Sequence, residues 1–508
     1  MKLVYGVKDR PPVGRLILFS LQQLLAILAA TIAVPMIIGN GLTPAAALFG
    51  AGVGTIVYLL FTKFKSPVFL GSSFAFLGSM SAAFAGASTA ALGYVGIIVG
   101  AVLAGLVYVV IAIIVKFCGV KWIDKIMPVV VVGPTVAIIG LSLAGNAIGD
   151  FVSNGFFGNY AAVDSTSGAF IMDTNAILCL LCGIVTVAVI VVCSVYGKKM
   201  FKMIPFVIGI LAGYALAAIF TGFSYLPGAE AMRIIDFSPF TKLGTAQAWY
   251  PDFAFLSMFG NLGDKSKIAA YIGTVAVAYI PVAFVVFAEH LADHKNISYI
   301  IEQDLLKEPG LHRTLLGDGI GSIAGALFGG CPNTTYGESV GCVAISGNAS
   351  VITIFVTAIM AILCAFLAPF TLFLSSIPKC VMGGTCITLY GFIAVSGLKM
   401  IQKVDLNENR NLFTVCVILI AGVGGLNLKF GDVILTKVAC ALILGILVNL
   451  LVNIKSKNKA TDEIAESEAV ADGTATEEAA ATMEENVATS ETATQEIKQE
   501  IKEEKSEE

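Results

Sequence analysis

Long apolar stretches alternate with short polar connections along most of the chain, from about Leu16 to Asn453. Each stretch runs for about 18–25 residues, the length that an α-helix needs to cross roughly 30 Å of hydrocarbon. The stretches lack the alternation of barrel strands, and only helices or closed barrels satisfy their backbone groups in lipid. The pattern predicts an all-α polytopic membrane protein with fourteen transmembrane segments. These predicted segments are 16–38, 44–61, 67–84, 91–116, 126–148, 176–196, 203–221, 269–290, 312–330, 334–346, 351–374, 380–398, 411–427 and 432–453.

Cationic residues divide unequally between the two sides that these segments define. With a cytoplasmic N-terminus, 21 Lys and Arg residues fall in the inner loops and 6 fall in the outer loops. This excess follows the positive-inside rule, and a missed segment would have mixed the two sets. We therefore expect a multi-pass protein of the plasma or bacterial inner membrane, with both termini in the cytoplasm.

Two of the predicted segments open with similar residues. The fifth opens with PVVVVGPT at 128–135, and the twelfth opens with PKCVMGGT at 378–385. Because seven is an odd number, a second copy of seven segments must enter the membrane from the opposite side. We therefore expect two inverted repeats, about 16–221 and 269–453, an arrangement common among secondary transporters.

Charge is segregated along the chain, although the net charge is only −4. Residues 460–508 contain 16 Asp and Glu against three Lys, which leaves 28 Lys and Arg against 19 Asp and Glu elsewhere. This segment has no aromatic residue and too little apolar surface to order itself. We predict a transmembrane domain over 1–455 and a disordered acidic cytoplasmic tail over 456–508.

The eleven cysteines are scattered through the apolar stretches, where a thiol packs as a small hydrophobic group. Cys179 and Cys182 have CxxC spacing but lie in an apolar segment without a polarising partner. With three His and no HExxH, the chain has no nucleophile–base or metal constellation. We therefore expect no cofactor, no metal, no nucleic-acid partner and no enzymatic activity.

Two predicted segments contain residues unsuited to a lipid-facing helix. The third contains GSSFAF at 71–76, shortly after Ser66-Pro67, and the tenth contains GGCPNTTYGE at 329–338. Non-helical backbone at membrane depth survives only where protein buries it or where it lines a cavity. Transporters place their sites at such breaks in matching positions of the two halves. We therefore predict that both breaks offer backbone groups to a polar ligand.

Few ionisable residues stand inside the predicted segments, and we identify Glu289, His290, Asp293 and Glu338. A carboxylate at membrane depth costs several kcal/mol, so these residues are functional candidates. Glu289 and Asp293 share a helical face, where two ionised carboxylates repel and one of them readily binds a proton. The alternative is a helix end at the cytoplasmic interface, where charge costs little. We expect His290 and His294 at that interface.

Five short motifs occur together in this chain. They are SLQQ at 20–23, GSSFAF at 71–76, AEH at 288–290, PNTTYGE at 332–338 and GG at 383–384. This set resembles the nucleobase–ascorbate transporter family and, within it, the bacterial uracil permeases. The resemblance covers about residues 5–455 and leaves out the acidic tail.

The resemblance implies fourteen segments in two inverted halves, divided into a core domain and a gate domain that move against each other. It also implies a homodimer in the lipid bilayer. Two short antiparallel strands, from the third and tenth segments, would meet at the midplane. The residues that it places around a nucleobase are Phe74, Glu289, Gly337 and Glu338. We add Tyr336 and His290 as secondary candidates.

The chain departs from the family pattern at several positions. Gln23 stands where His is usual, and Ser339 stands where Asn is usual. Asp293 stands where bacterial uracil permeases have His, as in eukaryotic purine carriers. These departures leave open the substrate range and the residue that carries a proton.

Uracil has two N–H donors and two C=O acceptors, and each unpaired group in a dry site costs roughly 1–3 kcal/mol. Glu289 and Glu338 would accept from the N–H groups, the Gly337 amide would donate to an oxygen, and Phe74 would pack on the ring. The same carboxylates would repel sulfate, which other carriers of this fold transport. Uracil is neutral, so accumulation needs a co-transported charge, worth about 2.3 kcal/mol per 100 mV. Without an evident Na⁺ cage, we expect a proton, carried by Asp293 or Glu289.

The leading hypothesis is therefore a uracil:proton symporter. A xanthine or urate permease of the same family is the first alternative, which Asp293 supports. A passive channel is a weaker one, because the chain lacks a ring of pore-lining charge and contains broken, repeat-related segments.

Overall fold

The computed structural model describes residues 3–120, 122–123, 127–155, 162–198, 200–263, 265–430 and 433–453. The predicted acidic tail at 456–508 lies outside the described residues. The chain divides into two units, Met1–Ile446 and Leu447–Glu508. The first unit contains every predicted site residue, and the described part of the second, 447–453, is helical.

The described residues are predominantly helical. The helices before residue 224 are α1 (Val13–Ile38), α2 (Pro44–Phe61), α3 (Leu77–Ala85), α4 (Ala90–Cys118), α5 (Val129–Ser142), α6 (Ala144–Phe151), α7 (Thr174–Tyr196) and α8 (Pro205–Phe223). Those after residue 267 are α9 (Ile268–Ile301), α10 (Leu311–Gly329), α11 (Gly337–Ser346), α12 (Val351–Ala365), α13 (Ala368–Ser375), α14 (Lys379–Ile401), α15 (Asn409–Val423) and α16 (Lys437–Asn453). Short 3₁₀ and one-turn helices connect α8 to α9.

Among the described residues, eight helices are long and apolar enough to cross a membrane, counting α5 and α6 as one. Helices α12 and α13 form a further broken span, bent by 81°. The prediction of a polytopic helical membrane protein is confirmed. The count of fourteen segments and the inverted repeat stay predictions.

Two predicted boundaries were wrong, the end of the eighth segment and the start of the last, and two other segments begin as strands. Helix α9 continues eleven residues past the predicted end at His290, to Ile301. The third and tenth segments each begin as a strand and become a helix only afterwards. The last segment begins at Lys437 and not at 432, because 433–435 is part of a hairpin, β3 (Leu428–Phe430) with β4 (Val433–Leu435).

Strand β1 (Leu70–Ser72) pairs with β2 (Asn333–Thr335), which joins the two predicted breaks. The pairing is antiparallel, with Gly71 opposite Thr334. Ser73 N–H donates to the Pro332 carbonyl at 2.9 Å and extends the ladder at one end. The antiparallel pairing that the family resemblance implied is confirmed.

Glycines bring α2 and α10 into backbone contact and thereby fix where the two strands begin. A Cβ on Gly50 would lie 2.7 Å from the Gly325 carbonyl oxygen, and one on Gly54 would lie 2.7 Å from the Gly321 carbonyl oxygen. Small residues at such four-residue spacing let membrane helices approach closely. Because β1 follows α2 and β2 follows α10, this contact sets the strands side by side.

Helices α5 and α14 pack in the same way. A Cβ on Gly140 would lie 2.6 Å from the Ala394 nitrogen, and one on Gly397 would lie 2.5 Å from the Gly133 carbonyl oxygen. Glycines therefore hold α5 against α14 as they hold α2 against α10. In the predicted repeat, the partners of each pair are equivalent segments.

Candidate functional site

Polar side chains from α2 and β2 fasten the strand pair to the helices. The Thr55 hydroxyl lies 3.0 Å from Leu70 N and 3.2 Å from Leu70 O. The Asn333 side-chain amide donates to the Gly50 carbonyl at 3.0 Å. The Thr55 bonds satisfy backbone groups of Leu70 at the break, each of which would cost about 1–3 kcal/mol if left unpaired. The Asn333 bond ties β2 to the interior of α2.

Gln23 and Ser339, two of the departures from the family pattern, contact each other. The Gln23 side-chain amide donates to Ser339 Oγ at 2.5 Å, and Phe69 N–H donates to the same oxygen at 3.1 Å. All three residues are buried. One hydroxyl therefore links α1, the start of β1 and the first turn of α11.

Helices α3 and α11 are the first helices after the two strands, and neither has a side-chain cap at its N-terminus. The first N–H groups of a helix have no partner within the helix, and they carry a partial positive charge. Both breaks therefore present N–H donors close to the strand pair. Such donors suit a carbonyl oxygen or an anion.

Three predicted residues border a space that protein does not fill. Gly337 is exposed, although the strand residues before it are buried, and Glu289 and Glu338 are half-buried. Among the described residues, the Glu289 carboxyl group makes no hydrogen bond, and that of Glu338 is bonded to its own backbone N–H. The site therefore combines two carboxyl groups with spare acceptor capacity and an accessible backbone.

Asp293 lies beside this space and is largely buried, at 8% exposure. Its Oδ2 accepts a hydrogen bond from the Thr335 hydroxyl at 2.8 Å. Its Oδ1 faces Gly337, because a Cβ placed on that glycine would meet Oδ1 at 3.8 Å. The structure thus brings Asp293 next to the break in the tenth segment.

Four carboxyl groups interact electrostatically in this region, namely Glu289, Asp293, Glu338 and the buried Asp318 of α10. Four ionised carboxylates at such close range would repel one another strongly in a low-dielectric interior. Full ionisation of this cluster is therefore unfavourable.

Phe74 follows β1 and is buried, with its ring edge-on to Tyr390 of α14 at a centroid distance of 5.6 Å. Tyr390 was missing from the predicted site. A tyrosine inside an apolar helix is most often a core residue, so its sequence context gave no signal. The contact places α14 against the site.

Tyr336 is buried, and its hydroxyl donates to the Ser72 carbonyl at 2.7 Å. Its ring lies over Gly71, where any Cβ would overlap it. Tyr336 therefore fastens β2 to β1, and Gly71 is the residue that gives it room.

The expectation that His290 and His294 lie at the interface was wrong. Both rings have 0% exposure, because α9 continues past them and other helices cover it. His290 Nδ1 lies 2.8 Å from Asp318 Oδ2, also at 0% exposure. Asp318 was missing from our list of ionisable residues. It lies within the predicted segment 312–330. An ionisable residue inside a membrane segment is a functional candidate, so Asp318 could have been identified in the same way as Glu289 and Glu338.

Solved structures of known transporters share the fold. The transmembrane domain of a cyanobacterium bicarbonate transporter, BicA, superposes with a TM-score of 0.58 at 17% identity, covering 85% of this chain and 97% of that chain. The murine anion transporter Slc26a9 in its inward-facing state gives a TM-score of 0.59 at 14% identity, covering 88% of this chain and 69% of that chain. At this identity, the likeness concerns the fold alone.

Other proteins are more similar to this chain in sequence than these solved structures are. The uracil permease of Bacillus caldolyticus is 39% identical over 451 residues, which cover 88% of this chain and 94% of the relative. The uracil permease of Bacillus subtilis (strain 168) is 35% identical, with the same coverage. That of Escherichia coli (strain K12) is 35% identical, covering 87% and 92%. A family model described as a permease family matches residues 14–429. The chain therefore belongs to this permease family, the nucleobase–ascorbate transporters, as the motifs of its broken segments predicted, and it is a transporter and not an enzyme.

Proposed function

We propose that this protein takes up uracil by secondary active transport coupled to protons. The observation that carries the proposal is the pair of half-buried carboxyl groups, Glu289 and Glu338, beside the accessible backbone of Gly337. The names of the relatives, which are uracil permeases, support the same substrate.

The donors and acceptors of this site match those of a uracil ring. Glu289 and Glu338 accept from the two ring N–H groups, and the Gly337 amide donates to a ring oxygen. Phe74 supplies an apolar contact to the face of the ring. Each match avoids the roughly 1–3 kcal/mol that an unpaired polar group costs in a dry site.

The acidic character of the site argues against an anionic substrate, although the structural neighbours include anion and bicarbonate transporters. An anion at Gly337 would face Glu289, Asp293 and Glu338 within one cluster of charge. A neutral ring with N–H donors is stabilised by the same groups.

Asp293 is the proposed proton carrier, with Glu289 as the alternative. Asp293 touches the site through Gly337 and is bonded to Thr335 of β2, so protonation there alters the strand that faces the substrate. Coupling to a proton lets the membrane potential drive uptake of a neutral base, at about 2.3 kcal/mol per 100 mV.

The proposal includes the finer architecture. Fourteen segments form two inverted repeats, with core and gate domains that alternate access to the site. The protein works as a homodimer in the plasma or inner membrane, with both termini in the cytoplasm. The glycine-held pairs α2 with α10 and α5 with α14 support the division into two bundles.

A xanthine or urate permease is the second candidate. The observation in its favour is Asp293 against Gly337, since the resemblance assigns an acid at this position to purine carriers. A larger purine ring with more N–H donors would use this third carboxyl group.

Uptake of labelled uracil into proteoliposomes under an imposed pH gradient tests the proposal. We expect accumulation above the outside concentration, its collapse on adding a protonophore, and competition by unlabelled uracil but not by xanthine. Stronger competition by xanthine would support the purine alternative. Uptake that only equilibrates, with or without a gradient, would contradict coupled transport.

A further inference from the structure

His294 directly follows Asp293 on α9 and is bonded at both ring nitrogens. Its Nδ1 lies 2.8 Å from the carbonyl oxygen of His290. A carbonyl oxygen only accepts hydrogen bonds, so Nδ1 carries a hydrogen. In the neutral ring, Nε2 is therefore an acceptor.

A chain of hydrogen bonds leads away from that nitrogen. His294 Nε2 lies 2.7 Å from the Tyr58 hydroxyl of α2, and this hydroxyl lies 2.7 Å from Ser66 Oγ. All three residues have 0% exposure. The distances are those of well-formed hydrogen bonds, so the three groups form one continuous chain.

The chain of hydrogen bonds ends at Ser66, just beneath the protein surface. Ser66 is the first buried residue after a turn in which Lys63 and Phe64 are exposed and Lys65 is partly exposed. The distribution of Lys and Arg assigns this turn to the cytoplasmic side. The hydrogen-bonded chain therefore runs from the residue next to Asp293 towards the predicted cytoplasmic surface.

We propose that His294, Tyr58 and Ser66 form a proton-exchange chain, or relay, through which His294, the neighbour of Asp293 in the sequence of α9, takes up and releases a proton at the predicted cytoplasmic surface. With a hydrogen on Nε2, Tyr58 accepts from His294 and donates to Ser66, which is the direction that the geometry shows. With a neutral His294, Tyr58 donates to Nε2 and accepts from Ser66. A proton that arrives at Ser66 shifts the hydroxyl proton of Ser66 to Tyr58 and that of Tyr58 to Nε2. Both hydroxyls end neutral, His294 becomes an imidazolium, and every bond in the chain has reversed. The reverse shift releases one proton.

His290, which lies beside the His294 ring, and its partner Asp318 together carry no net charge. The Thr314 hydroxyl donates to the Leu311 carbonyl at 3.0 Å, so at 3.0 Å from His290 Nε2 it only accepts. Nε2 of His290 therefore carries a hydrogen, and a second proton lies in the 2.8 Å bond between Nδ1 and Asp318 Oδ2. Whichever atom holds that proton, the pair is neutral overall.

This neutrality matters because the rings of His290 and His294 stack at a centroid distance of 4.0 Å. Two unbalanced imidazolium rings at that distance would repel each other. With the shared proton on Asp318, His290 is neutral and His294 can accept a proton. The packed elements also carry other titratable groups, namely Glu289, Asp293 and the exposed Lys295 on α9, Tyr108 on α4, Glu338 on α11, and His312 and Arg313 at the start of α10.

The relay rests on the proposed function, and Tyr58→Phe in proteoliposomes tests it. The variant keeps the ring but removes the hydroxyl that joins His294 to Ser66. We expect uracil binding and counterflow exchange within about twofold of wild type. We expect uracil-driven proton uptake and pH-driven accumulation to fall at least about tenfold. The matched control is Tyr279→Phe, which removes a buried hydroxyl that has no partner among the described residues and should change neither readout.

The outcomes separate the two proposals. If wild type does not move protons with uracil, the proposed coupling and the relay are both overturned. If wild type does so and Tyr58→Phe is equally fast, only the relay is overturned. If Tyr58→Phe loses binding through misfolding, Ser66→Ala decides: slowed proton uptake with intact exchange supports the relay, and unchanged proton uptake overturns it.

Discussion

Helix α9 carries two acid–base regions of opposite character. Glu289 and Asp293, four residues apart, lie with Glu338 beside the accessible backbone of Gly337, and two of these carboxyl groups are half-buried. His290 and His294, also four residues apart, are fully buried, and each ring nitrogen lies within 3.0 Å of a partner. Glu289 and Asp293 form a carboxyl stripe, which keeps hydrogen-bond acceptors free for a ligand. His290 and His294 form a histidine stripe, whose ring nitrogens are all bonded within the protein.

The difference indicates that the two pairs of residues on α9 have different roles. Groups that bind a substrate must be unpaired before it arrives, whereas groups that hold or pass a proton work best in a fixed hydrogen-bonded chain. Offset by one residue, the two stripes face about 100° apart around the helix. One faces the strand pair and the other faces α2 and α10.

The largest effect is expected from Glu338→Gln, which alters the carboxyl groups beside Gly337 and leaves His290 and His294 unchanged. Hydrogen bonds to charged groups contribute about 1.5–3 kcal/mol, so uracil affinity should fall by roughly 10–100-fold. Calorimetric or radioligand binding to purified protein measures this, with thermal stability recorded in parallel.

Glu230→Gln is the matched control, because Glu230 is exposed in the connection between α8 and α9. Its affinity for uracil should equal that of wild type. An affinity of Glu338→Gln within threefold of wild type would remove Glu338 from the site and weaken the contrast between the stripes.

Asp293→Asn should separate binding from coupling. Asparagine keeps the shape and still accepts from Thr335 through its carbonyl oxygen, but it cannot bind and release a proton. We expect uracil binding and exchange to persist while accumulation against a gradient is lost. Vesicle uptake with and without a protonophore measures both, and the exposed Asp252→Asn serves as control.

An Asp293→Asn variant that still concentrates uracil under a pH gradient would move the proton to another group. Glu289 would then be the first to test by the same assay. The histidine stripe, His290 and His294, would follow, because it contains other titratable side chains in this part of α9.

Ser339→Ala should have a moderate effect on stability and a smaller one on affinity. It leaves Phe69 N–H and the Gln23 amide without their shared acceptor, at a cost of about 1–3 kcal/mol. Thermal unfolding in detergent measures the loss. Ser375→Ala is the control, since its hydroxyl only adds a bond to the Thr371 carbonyl of its own helix. An unchanged melting temperature for Ser339→Ala would mean that water replaces the hydroxyl.

Much of the fold followed from the sequence because apolar length and broken segments are local signals. The two breaks, the shared face of Glu289 and Asp293, and the presence of many membrane helices are of this kind. The β3–β4 hairpin escaped prediction, since a short apolar run such as 433–435 fits a strand or a helix equally well.

The burial of His290 and His294 could not be predicted from the sequence, for a different reason. Their burial depends on α2 and α10 covering the end of α9, and these helices come from distant parts of the chain. Sequence gives the residues of α9 but not their neighbours. Asp318 is an exception among these neighbours, because a carboxyl group within an apolar segment can be recognised from the sequence.

The smallest effect is expected from deleting residues 460–508. Both stripes of α9 and all of their partners lie before Ile446, within the first unit of the chain. The deleted segment is rich in Ala, Thr and Glu, and it offers no apolar face with which to dock. Uracil uptake and its response to a protonophore should therefore stay within about twofold of wild type at equal surface expression, as measured by labelled uptake in cells. A large loss of uptake at equal expression would show that the acidic tail regulates transport, and the machinery would then extend beyond the two stripes.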